Sequence, residues 1–281
     1  MTRPFDCVVL DFDGTFTDVD REGAPFLEGY RRDLLAELGQ CSDSWDAAET
    51  TVLRNPENHG WEFGGHIVAP STADPYIRAT SIAQIMLRGA DYPEAKRGPL
   101  LEQLYRNNYA KSENAFRPDA KSTIEALVDS GLAVFFVTNS HTAAVEGKLA
   151  ALAPRGLDRV TVFGDAKKYV VAPPAESDPR FGALPSTKTV PGLARPVLLH
   201  RGPYFDVLRR VWAATGVGPE RTVLCGDIYE LDLAMPAELG VATSLVSRAS
   251  TAAYEKAATL ASPRGVVATE LGQILDRIEA T

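Results

Sequence analysis

The chain repeats one pattern three times: a short apolar run that ends in polar residues. The runs are "DCVVL", followed by "DFDGT", then "LAVFFVTNS" at 132–140 and "RTVLCGD" at 221–227. Runs of this kind, rich in β-branched residues and closed by turn residues, predict buried strands. A helix-like stretch that stops at a glycine, Gly131 or Gly216, precedes each of the last two runs. This alternation predicts a parallel sheet built from βα units.

Two weaker strand candidates, at 159–165 and 241–246, bring the predicted sheet to about five strands, a normal number. We therefore expect the α/β class, with a Rossmann-like parallel sheet core formed by residues 1–17 and 119–281. Ligands of such open sheets bind beyond the carboxyl ends of the strands. The polar residues that end the three runs are expected to meet there.

Two segments do not show this alternation of strands and helices. Residues 19–118 contain helical stretches and a loop rich in glycine and aromatic residues, so we predict a mostly helical inserted domain over the strand tips. Residues 172–196 hold six prolines, which disfavours a central strand or helix and predicts a surface excursion or flap within the core. The sequence assigns no role to this proline-rich excursion.

Composition excludes several classes of partner. A formal net charge of −8 and a pI near 5.1 argue against a broad binding surface for nucleic acid or for an anionic membrane. No stretch of about 18 apolar residues is present, so we expect a soluble, cytoplasmic protein. The three cysteines are far apart and form no C-x-x-C pair, which predicts reduced thiols, buried at Cys7 and Cys225. The oligomeric state stays unknown from the sequence.

Four carboxylates stand at the ends of the first and third runs. Asp11 and Asp13 follow the first run, and because Phe12 between them points the opposite way, both acids face one side. Asp227 and Asp232 follow the third run, in "GDIYELD". Acids this close repel one another, which suggests that a cation lies between them. Taken singly, the two pairs are also compatible with an acidic turn and with a helix N-cap.

In order and in spacing, "DFDGT", "VTNS", "RGPYFDVL" and "CGDIYELD" resemble the four motifs of the haloacid dehalogenase-like (HAD) hydrolase superfamily. The second acid of "DFDGT" is similar to the phosphatase branch, since dehalogenases lack it, and residues 19–118 resemble the helical C1-type cap of the superfamily. The resemblance implies a Mg²⁺-dependent hydrolase that acts on a small phosphorylated metabolite through an aspartyl-phosphate intermediate.

The resemblance also implies roles for residues of the first two motifs. Asp11 would be the nucleophile, because a carboxylate can attack phosphorus without first losing a proton. Asp13 would protonate the leaving oxygen and later activate water. Thr138 and Asn139 would offer a hydroxyl and an amide to phosphoryl oxygens.

The third and fourth motifs would supply charge. The implied Mg²⁺ ligands are Asp11, Asp227 and the backbone carbonyl of Asp13, with Asp232 as a further ligand or as the partner of the basic residue. Arg201 is assigned as the catalytic cation, which would neutralise charge on the transferring group. Three lysines near or within the proline-rich excursion compete for that place: Lys167, Lys168 and Lys188.

The inserted domain carries the stretch "ENHGWEFGGH". It concentrates five bulky or polar side chains among three glycines: His59, Trp61, Glu62, Phe63 and His66. They predict either a mobile specificity loop that closes over the leaving group or a hydrophobic anchor for a loop. The two histidines lack a third partner at metal spacing, so zinc is not expected.

Two other functions stay open at this point. A phosphotransferase or phosphomutase would pass the phosphoryl group to a second hydroxyl instead of water. A non-catalytic relative would bind a phosphorylated ligand or a protein through the inserted domain and the proline-rich excursion. The sequence does not name the substrate, because specificity depends on residues whose geometry it does not give.

Overall fold

The computed structural model describes residues 4–56, 58–109, 111 and 114–279. The outer ends of the predicted core and Glu57, at the start of the predicted loop of the inserted domain, lie outside these residues. The chain divides into two compact units. Met1–Thr17 and Phe116–Thr281 form one, here named the core unit, and Asp18–Ala115 forms the other, the inserted unit.

The described residues form ten strands and eleven α-helices. The strands are β1 (Cys7–Leu10), β2 (Gly60–Phe63), β3 (His66–Pro70), β4 (Ala133–Val137), β5 (Val160–Phe163), β6 (Thr187–Lys188), β7 (Val197–Leu198), β8 (Thr222–Gly226), β9 (Ala242–Val246) and β10 (Gly265–Ala268). The helices are α1 (Val19–Leu38), α2 (Ser42–Arg54), α3 (Pro75–Gly89), α4 (Glu94–Tyr109), α5 (Ala120–Asp129), α6 (Thr142–Leu152), α7 (Pro179–Gly182), α8 (Gly202–Thr215), α9 (Ala234–Glu238), α10 (Ala253–Ala261) and α11 (Gln273–Glu279).

The core unit is built on a six-stranded sheet in the order β10-β9-β8-β1-β4-β5. All neighbouring strands of this sheet are parallel, which confirms the predicted α/β class. Five strands match the five predicted ones. The sixth, β10, is a four-residue edge strand, "GVVA", which the sequence pattern did not predict.

Both faces of the sheet are covered, as a parallel sheet requires. Successive residues of β1 point to opposite faces, so Val9 belongs to one apolar cluster and Leu10 to the other. Phe205 of α8 lies in the same cluster as Val9. Ile124 of α5 lies in the same cluster as Leu10. The double burial explains why these strands are continuous apolar runs.

The carboxyl ends of the three central strands lie side by side. Leu10, the last residue of β1, is in register with Phe136 of β4 and with Cys225 of β8. The backbone N–H of Asp11 continues this pairing and donates to the carbonyl of Cys225 at 2.8 Å. The residues that follow β1, β4 and β8 therefore begin at one edge of the sheet.

The proline-rich excursion, residues 172–196, lies mostly at the surface, but it is anchored to the core. It contains α7 and, with β7 just beyond it, one strand of the antiparallel β6–β7 hairpin. Four of its apolar side chains are buried in the core cluster that contains Val9: Phe181, Leu184, Val190 and Leu193. The prolines interrupt regular structure, while the apolar residues between them hold the segment against the core.

A π-helical turn, Tyr229–Leu233, connects β8 to α9 and lies against the excursion. The side chain of Glu230 in this turn is fully buried, and Arg195 of the excursion donates to both of its carboxylate oxygens, at 2.7 and 2.8 Å. The Tyr254 hydroxyl donates to the same carboxylate at 2.6 Å. The excursion is thus joined to the turn by a buried ion pair.

Glu255 of α10 holds the start of the same turn. Its carboxylate accepts the backbone N–H of Tyr229 at 2.9 Å and that of Ala252 at 3.3 Å. Burial raises the pKa of Glu255 to about 8, and the nearby carboxylate of Glu230 adds to the increase. A carboxyl group therefore sits inside the core unit, where its charged form is disfavoured.

The inserted unit contains α1 to α4 and one hairpin. Its apolar centre includes Phe26, Tyr30 and Trp45. The stretch predicted as a loop around Trp61 instead forms the antiparallel hairpin β2–β3, which turns at Gly64 and Gly65, with φ of 58° and 80°. Two consecutive residues with positive φ suit glycine, because other residues are strained there. Among the described residues, no helix is both long and apolar enough to cross a membrane.

We expect Arg195→Met to lower the free energy of unfolding by about 3–5 kcal/mol, because it leaves the buried Glu230 charge without its partner. Lys188→Met is the matched control. Lys188 of the same excursion pairs with Glu238 at 2.7 Å, but both side chains are about one-third exposed. A loss below about 1 kcal/mol is expected there. Urea unfolding measures both, and equal losses would contradict the buried-pair account.

The raised pKa of Glu255 predicts a pH-dependent stability. The folded state keeps the proton up to about pH 8, whereas the unfolded chain releases it near about pH 4.3. The contribution of this group is therefore fully present at low pH and declines as the pH rises towards 8. Glu255→Gln cannot ionise, so its stability deficit relative to wild type should shrink between pH 5.5 and pH 8. Thermal unfolding at the two pH values checks this, and a constant deficit would refute it.

Candidate functional site

An ammonium group lies between two carboxylates at the carboxyl edge of the sheet. Lys168 Nζ contacts Asp11 Oδ1 at 2.7 Å and Asp232 Oδ1 at 2.8 Å. All three side chains are buried, and that of Lys168 is 1% exposed. Burial by itself lowers the pKa of Lys168, but the carboxylates of Asp11 and Asp232 outweigh it and raise the pKa above its ordinary value. Lys168 is therefore held as a cation.

Asp232 is fixed on both sides. Its second oxygen, Oδ2, accepts the backbone N–H of Ile228 at 3.0 Å, and its carbonyl accepts the Tyr204 hydroxyl at 3.0 Å. With Oδ1 on Lys168, both carboxylate oxygens already have a donor. Of the two roles that the sequence left open for Asp232, this geometry matches the partner of the basic residue.

The loop after β5 carries Lys168, and two residues hold it. Asn139 Oδ1 accepts the backbone N–H of Lys168 at 2.8 Å, which leaves its NH₂ group as the donor available to a ligand. Arg201, fully buried at the start of α8, donates to the carbonyls of Lys168 at 2.6 Å and Leu198 at 3.0 Å.

This arrangement corrects the preference for Arg201 as the catalytic cation. The cation in contact with Asp11 is Lys168, one of the three lysines that competed for the place. Arg201 supports the backbone that presents it. Of the other two candidates, Lys167 is exposed and Lys188 pairs with Glu238.

Thr15 brings Asp11 and Asp227 together. Its hydroxyl lies 3.0 Å from Asp11 Oδ2 and 3.3 Å from Asp227 Oδ1, so the two oxygens share one neighbour. Arg248, from the loop after β9, contacts the other oxygen of Asp227 at 2.8 Å. Gly14 has φ of 82°, and a Cβ there would lie 2.3 Å from Asp227 Oδ2. Only glycine fits this turn.

Asp13 lies beside the second motif. Its Oδ2 accepts the Ser140 hydroxyl at 2.7 Å and, more weakly, the Thr138 hydroxyl at 3.4 Å. Its Oδ1 accepts Lys148 Nζ of α6 at 3.0 Å. Thr138 and Asp13, predicted to serve different parts of the site, are thus in contact.

The acidic residues offer a donor set suited to a divalent cation. Asp11, Asp227 and Asp232 each present an oxygen within 4.8 Å of the others, and all three are buried. Burial raises the pKa of Asp11 well above its usual range, and Asp232 and Asp227 raise it further while Lys168 opposes them. Clustered carboxylate oxygens fit a hard ion such as Mg²⁺, which would relieve this crowding.

The predicted specificity residues all belong to the inserted unit, on or next to its hairpin: His59, Trp61, Glu62, Phe63 and His66. Glu62 forms an exposed ion pair with Arg88 of α3 at 2.9 Å, and the rings of Trp61 and Phe63 are 6.2 Å apart. The ion pair links the hairpin to α3 of the same unit. A role in specificity stays a prediction.

Three residues of the site were missed from the sequence. Arg248 follows β9, and the rule that ligands lie beyond strand ends would have marked it had it been applied to that strand. Ser140 lies within "VTNS", but the sequence assigned no role to its hydroxyl. Nothing in the sequence marked Lys148 as a site residue, since a lysine on a helix is usually exposed to solvent. Only the packing of α6 brings it to Asp13.

Comparison with known proteins supports the fold and the family. A family model for haloacid dehalogenase-like hydrolases matches residues 5–240. The search of curated proteins gave no match. A solved structure described as a predicted phosphoglycolate phosphatase from Haemophilus somnus 129PT aligns with 16% identity over 99% of both chains, at a TM-score of 0.56.

A second structure, assigned to the haloacid dehalogenase-like hydrolases of Bacteroides fragilis, aligns with 17% identity over 96% of this chain and 99% of that chain, at a TM-score of 0.51. At these identities the two structures show a shared fold. The family model covers most of the chain. The chain therefore belongs to the haloacid dehalogenase-like hydrolases.

Proposed function

We propose that this hydrolase cleaves phosphomonoesters of small metabolites through a covalent aspartyl-phosphate on Asp11. One observation carries the proposal: the Asp11 carboxylate is buried against the Lys168 ammonium, within a group of acids that could hold a divalent cation. A carboxylate at a strand end can attack phosphorus, and a cation fixed beside it is already placed to stabilise the charge that develops.

In the first step, an oxygen of Asp11 attacks phosphorus, and the bond from phosphorus to the ester oxygen breaks. Asp13 gives its proton to the departing oxygen, which leaves as an alcohol. Lys168 neutralises charge that develops on the phosphoryl oxygens, and the NH₂ group of Asn139 is placed to donate to them. The product is the acyl phosphate of Asp11.

In the second step, a water molecule attacks the phosphorus of the acyl phosphate, and Asp13, now ionised, takes its proton. The bond between phosphorus and Asp11 breaks, which restores the carboxylate and releases inorganic phosphate. Asp13 regains the proton that it gave in the first step, so the cycle closes without a further reactant.

The site suits a magnesium-dependent reaction. Asp11 Oδ2 and Asp227 Oδ1, which share the Thr15 hydroxyl, would hold the ion together with the backbone carbonyl of Asp13. When bound, Mg²⁺ offsets the charges of the acids and of the phosphoryl group. Asp232 and Lys168 stay paired beside it in this assignment.

The presence of Asp13 favours a phosphate ester over a haloacid as substrate. Halide leaves as a stable anion and needs no proton, whereas an alkoxide needs one. Asp13, which accepts hydrogen bonds from three donors at the site, would have no proton to transfer in a dehalogenation. The partner is therefore proposed to be a small phosphorylated molecule. The panel includes 2-phosphoglycolate because a structure with the same fold is described as a predicted phosphoglycolate phosphatase.

We expect the protein to release phosphate from at least one compound in a panel of sugar phosphates, nucleotides, 2-phosphoglycolate and p-nitrophenyl phosphate, with Mg²⁺ present. Asp11→Asn should abolish release, because the amide is not a nucleophile. Asp158→Asn is the control: this exposed acid precedes β5, at the other end of the strand. Colorimetric phosphate assays give the rates.

Turnover that survives in Asp11→Asn would exclude the proposed nucleophile. Transfer of the phosphoryl group to an added alcohol, in place of phosphate release, would favour a phosphotransferase. No turnover over the panel, with a phosphorylated compound nevertheless raising Tm, would favour a non-catalytic binding protein.

Metal binding gives an independent prediction. Titration of chelator-treated protein with Mn²⁺, followed by electron paramagnetic resonance, should show one site whose affinity falls at least about ten-fold in Asp227→Asn. Asp158→Asn should bind as wild type does. Equal affinity in all three proteins would place the ion elsewhere and remove Asp227 from the site.

A further inference from the structure

Lys148 lies outside the four motifs, yet it contacts the proposed acid and base. It is on α6, next in sequence to Leu149, which is buried with Val145 on the face that packs against the sheet. Its Nζ is 3.0 Å from Asp13 Oδ1, and its side chain is 13% exposed. It is therefore much more enclosed than a typical helix-surface lysine.

Phe12, the aromatic residue between the two motif acids, lies beside the Lys148 ammonium. Phe12 is fully buried, with its ring edge-on to Phe136 at 5.4 Å between centroids. Lys148 Nζ lies 5.8 Å from the centroid of the Phe12 ring, within cation–π range. The ammonium therefore lies beside an aromatic ring that is fully buried.

The donors around Asp13 occupy three of the acceptor positions on its carboxylate. A carboxylate has about four acceptor positions, two on each oxygen. Ser140 and Thr138 share Oδ2, while Lys148 takes one position on Oδ1. Of the described donors, none takes the second position on Oδ1. That position is the one from which a proton can be given or received.

We propose that Lys148 is a positioning residue that aims Oδ1 of Asp13 at the leaving group. The inference rests on the proposed function, in which Asp13 protonates the departing oxygen. Ser140 holds one carboxylate oxygen, and a single anchor lets the other swing, whereas Lys148 supplies the second anchor. Lys148 acts on the reaction through Asp13.

The test compares two substrates that differ in their need for a proton. p-Nitrophenolate leaves without one because the ring delocalises its charge, whereas the alkoxide of 2-glycerophosphate needs one. For Lys148→Met, kcat/KM, which reports steps up to leaving-group departure, should fall about 10–100-fold with 2-glycerophosphate. With p-nitrophenyl phosphate it should change less than about three-fold.

Three controls separate positioning from a general structural role. Lys148→Arg should retain most of the activity, because the guanidinium also reaches a carboxylate. Lys121→Met, at an exposed lysine of α5, should match wild type on both substrates. In the Asp13→Asn background, Lys148→Met should cause no further loss, since the carboxylate that it positions is already removed.

Equal losses on the two substrates, or a further loss in the Asp13→Asn background, would overturn the proposal. If wild type cleaves neither substrate nor any other in the panel, the proposed function fails instead. Crystal structures of wild type and Lys148→Met then decide the positioning claim by themselves. A dispersed Asp13 carboxylate in the variant supports it, and an unchanged one refutes it.

Discussion

The structure depends above all on one buried ammonium group between two carboxylates. An isolated charge in the interior is costly, and Lys168, Asp11 and Asp232 are each tolerated there because the others are present. The three residues come from the ends of β5, β1 and β8 or just beyond them. These contacts join three separate loops at one edge of the sheet. The Lys168 ammonium also opposes the rise that burial causes in the pKa of Asp11, the proposed nucleophile.

The features that depart from an ordinary α/β core support this centre. The π-helical turn Tyr229–Leu233 lets Asp227 and Asp232 serve the same site from one short connection. The side chain of Glu230 in the turn points away from the site, to Arg195 of the proline-rich excursion. A segment whose composition indicates a surface excursion or flap is thus tied by a buried ion pair to the turn that also carries Asp232 of the candidate site.

The local sequence pattern was sufficient to predict most of the sheet and part of the candidate site. Short apolar runs with polar ends predicted five of the six strands of the core sheet and brought Asp11 and Asp227 to one edge. It failed where the deciding contact is between distant segments. Arg201 and Lys168 are both buried cations beside the same excursion, and only the path of the backbone decides that one reaches a carboxylate and the other a carbonyl. The hairpin at Gly64 and Gly65 was a missed local signal.

The sequence by itself determined the α/β class, the acids at the strand ends and their resemblance to a hydrolase family, because periodicity, turn residues and short motifs are local properties of the chain. The tertiary structure decided which cation faces Asp11, how Asp232 is used, and that Lys148 and Arg248 join the site. Those outcomes depend on the packing of helices and loops against the sheet, which sets distances between side chains far apart in the chain and leaves no mark on local composition.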